Sequence, residues 1–136
     1  MNVELFALCD FAQDVAGKIT VVGAFDSIFV REFPGRHPFM SIAVRLRFPV
    51  YELGEHSVRI SLRGSNGDLV IPPFEGKLSV NGIGNDSAVT NLTIHMNQVT
   101  FERGDSLKFT LEVDGAEAAT LPLYVRQMPP QGPKTP

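Results

Sequence analysis

Strict two-residue alternation constrains this chain more than any other feature, because it is the mark of strands that turn one face to a core and the other to water. In "FMSIAVRLRF", Met40, Ile42, Val44, Leu46 and Phe48 fall on one side, with Ser41, Arg45 and Arg47 on the other. In "VRISLR", Val58, Ile60 and Leu62 oppose Arg59, Ser61 and Arg63. The pattern returns through Leu92, Ile94 and Met96, and again through Leu107, Phe109, Leu111 and Val113. Near the N-terminus, residues 3–9 and 18–24 carry apolar side chains on both faces, which predicts central strands covered on both sides.

Turn chemistry separates these runs. Asn66-Gly67 and Asp114-Gly115 tolerate the positive φ of tight hairpins. The first predicts a second strand starting near Leu69, and the second predicts a hairpin from residues 107–113 into 118–126. "NGIGND" and "ERGD" read as further connections. Only "DFAQDVAG" could hold a helical turn, and it is too short for an independent helix. Short strands at intervals of about 8–12 residues, with almost no helix pattern, predict an all-β fold. The expected form is a single antiparallel immunoglobulin-like β-sandwich of about seven to nine strands. A chain of 136 residues suits one domain. The expected division is a sandwich over residues 1–127 and a flexible Pro/Gly-rich tail over 128–136.

The net charge of −3 opposes a field attractive to nucleic acid or an anionic membrane, so neither is an expected partner. With Cys9 the only cysteine, no internal disulfide and no thiolate-rich zinc site can form. The first residues have no basic run before their short apolar stretch, and no segment approaches the length needed to cross a bilayer as a helix. The expectation is a cytoplasmic protein.

The segments "LCDFAQDVAGKITVVGAFDSI" and "FPGRHPFMSIAVRLRF", with "FERGDSLKFTLEVDG" and "LPLYV" further on, resemble a family of small, uncharacterised bacterial β-sandwich proteins, a domain of unknown function. The likeness spans nearly the whole chain, but it rests on turns and core positions. It implies a fold, and it implies no assigned reaction and no catalytic residue.

Read from the residues themselves, chemistry is sparse. No G-x-S-x-G elbow is present, and His37, His56 and His95 lie on three separate segments. No two of them have a metal-ligand spacing. The G-x-G of "NGIGN" leads into a strand rather than a helix N-terminus, and Arg103-Gly104-Asp105 reads as a turn. No catalytic, cofactor-binding or metal-ligating residue is predicted, and no cofactor.

Two surfaces are candidates for contact. "FDSIFVREFPGRHPF" holds Phe29, Arg31, Phe33, Arg36 and His37 on a segment stiffened by proline, a composition that suits an interface anchor. Its alternative is a cap of phenylalanines over the end of the sandwich. Arg45, Arg47, Arg59 and Arg63 would make a basic face if their strands were neighbours, the alternative being arginines in weak pairs with Glu52, Glu55 or Glu112. The leading expectation is a non-enzymatic binding or protein-interaction module, docking a protein partner or a second copy as a homodimer. The competing ones are an enzyme or ligand binder with a site near Cys9, Asp10, Asp26 and His37, and a structural component of a larger assembly.

Overall fold

The computed structural model describes residues 1–129. Its strands are β1 (Asn2–Val15), β2 (Lys18–Ala24), β3 (Ser27–Val30), β4 (Gly35–Pro49), β5 (Gly54–Arg63), β6 (Phe74–Val80), β7 (Ser87–Phe101), β8 (Asp105–Val113) and β9 (Ala116–Gln127). A 3-10 turn, Val50–Glu52, links β4 to β5. The strands form two sheets, ordered β2-β1-β4-β7 and β3-β9-β8-β5-β6. The expected tail lies outside the described residues from position 130 onward.

The two sheets face each other across the apolar sets that alternation marks. Met40, Ile42, Val44, Leu46 and Phe48 of β4 are at most 1% exposed, as are Leu62, Phe109, Leu111 and Leu123 from the other sheet. Burying each such side chain contributes about 1.5–3 kcal/mol, so these rows hold the sheets together. Asp114 and Gly115 both take positive φ and join β8 to β9 in the hairpin their dipeptide predicts.

Three local expectations are corrected. After the Asn66-Gly67 turn, Leu69 makes only an isolated bridge to Arg63, because Pro72 and Pro73 follow and cannot donate to a ladder. β3 pairs with β9 in parallel, so the sandwich is not wholly antiparallel. β2 is an edge strand rather than a central one. Its two apolar faces have a different origin. β1 pairs with β4 only as far as Cys9, and from Cys9 on it pairs with β2. The resulting hairpin leans across the outer face of its own sheet. There Ala12, Ile19 and Val21 cover Cys9 and Ala43 in a second small core, while Val15 and Val22 stay more than half exposed.

Candidate functional site

Four strands form the edges of the two sheets, and an edge is a row of unpaired backbone donors and acceptors that natural proteins protect. β3 has four residues, β2 carries Lys18, and β6 carries Glu75 and Lys77. β7 has no such device: its fifteen residues, "SAVTNLTIHMNQVTF", include no Lys, Arg, Asp, Glu or Pro. Among the described residues its one pairing partner is β4, through a constant register from Pro49↔Ser87 to Gly35↔Phe101. Among the described residues no strand pairs with the opposite side of β7.

The register also tells which backbone groups are free. Just before β7, the Val50 N–H donates to the Asp86 carbonyl at 3.2 Å, so Val50 and Asp86 are a directly bonded pair. Bonded and non-bonded pairs alternate along an antiparallel ladder. Even-numbered residues of β7 therefore bond to β4, and Val89, Asn91, Thr93 and His95 turn their N–H and C=O groups to the free edge. Pro38 stands where Gln98 would need a donor; that pair is missing from the ladder, and Gln98 takes a φ of 54°.

Side chains on the two faces of β7 differ in kind. On the outer face the His95 ring stacks on Phe11 at 5.7 Å and on Phe39 at 5.6 Å, and its Nδ1 lies 2.7 Å from the Ser41 hydroxyl. Ser41 is fully buried, and the contact fixes the exposed His95 ring. On the inner face Leu92, Ile94 and Met96 remain half-buried, although Ile42 and Met40, across the ladder from Ile94 and Met96, are sealed. The difference arises because no strand of the described residues lies beyond β7 to cover them.

Beneath this inner face, between the sheets, is an apolar pocket of about 250 Å³. Ile94 and Met96 form one wall, Ile60 lies on the opposite sheet, and Ile71, Pro73 and Phe74 form the rim that leads into β6. Every lining side chain is apolar.

The sequence candidates separate in space. Phe29, Arg31 and Arg36 are exposed around an open depression, whereas Phe33 packs on the core and His37 turns inward against Phe25, ring centroids 5.8 Å apart. The segment is thus partly cap and partly surface. Arg45 and Arg47 belong to one sheet and Arg59 and Arg63 to the other, so the four do not form one face. Each is held within the chain: Arg45 and Arg47 by Glu4, Arg59 by Glu75, and Arg63 by the Gly67 carbonyl. Two guanidinium groups on Glu4 hold its carboxyl below the usual range. The segments of Cys9, Asp10, Asp26 and His37 are neighbours, since the Phe25 N–H donates to the Leu8 carbonyl at 3.0 Å and the Phe25 ring meets that of His37. Cys9 is sealed, Asp26 accepts from Ser27 at 2.9 Å, and the Asp10 carboxylate lies against Gly23, where it leaves no room for a Cβ.

Reading by segments misses the open edge. Its signal is present in the sequence as an unbroken run, 87–101, with neither formal charge nor proline. Residues 4–126 match the model of a family described as "Family of unknown function (DUF6941)". No curated protein and no solved structure matches the chain.

Proposed function

The chain belongs to the DUF6941 family, and from its own geometry we propose that it is a non-enzymatic protein-interaction module that takes on a strand from a protein partner at the β7 edge. The observation that carries this reading is the fifteen-residue edge without charge or proline, beside three edges that are short or charged. In strand addition the main chain supplies the affinity, and the edge presents free N–H and C=O groups at Val89, Asn91, Thr93 and His95. The sandwich is immunoglobulin-like in type, and its buried lone thiol suits a reducing, cytoplasmic setting. The depression between Phe29 of β3 and Arg36 of β4, with Arg31 beside it, is a secondary contact surface where the two sheets meet.

The test is selection of random twelve-residue peptides displayed on phage against the immobilised chain, with Thr93→Pro as the discriminating variant. Proline at this position removes a donor that faces the free edge and leaves the β4 ladder intact. Enriched peptides should bind the parent and lose binding to Thr93→Pro, with the melting curve showing that the variant folds. Peptides that bind both proteins equally would sink the proposal, as would a selection with no enrichment.

A further inference from the structure

We infer that the added strand is a lone extended segment of another protein, with apolar side chains at alternate positions and one of them seated in the pocket between β7 and the Ile71–Phe74 rim. This inference rests on the strand-addition reading and specifies the partner's chemistry. A strand paired antiparallel to the free edge would be bonded at Val89, Asn91, Thr93 and His95. Its residues opposite Leu92, Ile94 and Met96 would then be non-bonded pairs, the closer kind, with side chains on the inner face. Those side chains point into the gap between the sheets, where Ile94, Met96, Ile71 and Phe74 are incompletely buried. A pocket of about 250 Å³ with wholly apolar walls accepts a side chain of leucine to phenylalanine size. It rejects a charged one, which would lose its hydration without gaining a partner.

The same geometry disfavours a second copy of this chain as occupant. A second β7 brings its own opposing sheet, and its inner side chains already face that sheet's pocket. Two copies joined edge to edge would leave both pockets unfilled. A lone segment has no second layer beneath it, so the gap under β7 is where its apolar face can be buried. The residues between the apolar ones lie on the outer face beside Thr93 and Asn97, and are polar.

The experiment follows the peptide selection with fluorescence anisotropy of the best synthetic peptide, measured on the parent, on Thr93→Pro, and on Ile71→Trp and Ile94→Phe, which fill the pocket. Enriched sequences should alternate apolar and polar residues. Either pocket variant that keeps the parent's melting curve should weaken binding at least about tenfold, the loss of one buried anchor. Methyl NMR of the unmodified chain serves as the measurement that no folding defect can confound: added peptide should shift the methyl signals of Ile71, Ile94 and Met96. Unshifted methyls, or equal affinity for a pocket-filled variant while Thr93→Pro still abolishes binding, would overturn the pocket and leave the edge in place. Binding indifferent to Thr93→Pro would overturn both. A stable dimer by light scattering that Thr93→Pro converts to monomer would make the second copy the occupant and overturn the lone-segment inference.

Discussion

Asn91, on the open edge strand, donates from its side-chain amide to the carbonyl of Gly17 at 3.1 Å, tying the tip of the β1–β2 hairpin to a strand two places away in the sheet. The contact acts together with the packing of Ala12, Ile19 and Val21 on Cys9 and Ala43 to hold the hairpin over the outer face. It also couples that flap to β7, through the Phe11 ring stacked on His95.

Asn91→Ala should therefore loosen the hairpin without unfolding the sandwich. The substitution also removes the acceptor of an Arg45 guanidinium N–H at 3.2 Å, and with each hydrogen bond contributing about 0.5–1.5 kcal/mol the shift in global stability should be about 1–3 kcal/mol. Hydrogen exchange should quicken in β2 and the adjoining part of β1, and stay unchanged in β8 and β9. Unaltered exchange in the hairpin would show that apolar packing on Cys9 and Ala43 holds it alone.

Leu111 and Ile60 test the core faces. Leu111 is fully buried and Ile60 is 4% exposed, from paired positions on β8 and β5. Truncation of either to alanine should cost about 2–5 kcal/mol in denaturant unfolding. An unchanged transition midpoint for either variant would contradict the assignment of its face.

Much of this architecture was legible because alternation reports which face of a strand is buried. Met40 to Phe48 and Leu107 to Val113 illustrate it, since one row of each is sealed. Alternation does not report which strands are neighbours. Arg45 and Arg59 look alike in sequence and end on different sheets. The apolar residues of β2 look like those of a central strand because they pack on the outer face of a sheet, a tertiary arrangement with the same local pattern. The open edge lay beyond segment reading for a related reason. Exposure of an edge depends on strand order, and only the absence of charge along β7 marked it beforehand.

Cys9 offers a test that depends on burial alone. Its thiol is wholly buried, 3.4 Å from the Phe11 carbonyl and 3.5 Å from that of Ser41, and burial pushes its pKa up. A raised pKa and lack of access both suppress the thiolate that alkylating reagents attack. Iodoacetamide should therefore leave the folded protein unlabelled at neutral pH and label it fully in denaturant. Rapid labelling under native conditions would mean that the hairpin covering Cys9 opens readily.

The pairing of His56 with Asp114 gives the fold a pH dependence whose sign is fixed. His56 Nδ1 lies 2.6 Å from Asp114 Oδ2, and its Nε2 lies 2.5 Å from the Glu52 carbonyl oxygen, so both ring nitrogens of the cation have acceptors. The Asp114 carboxylate, then the Glu52 carbonyl, raises the His56 pKa above 6.5. His56, with the Ser57 N–H at 2.9 Å, lowers that of Asp114 below 3.8. A raised histidine value stabilises the fold fully below 6.5, and the gain is lost as pH rises through the folded value. A lowered aspartate value stabilises it above 3.8, and the gain is lost as pH falls through the folded value. The pair's contribution is thus largest between these two limits. Because the Asp114 side chain is 52% exposed, solvent screening limits that contribution to about 1 kcal/mol at most. His56→Phe keeps the stack on Phe48, whose ring centroid is 4.3 Å away, and removes the charge. In denaturant titrations the variant should lose stability relative to the parent at pH 5 and approach it at pH 9. Curves that stay parallel across this range would show that the pair holds the β5 and β8 ends by geometry alone.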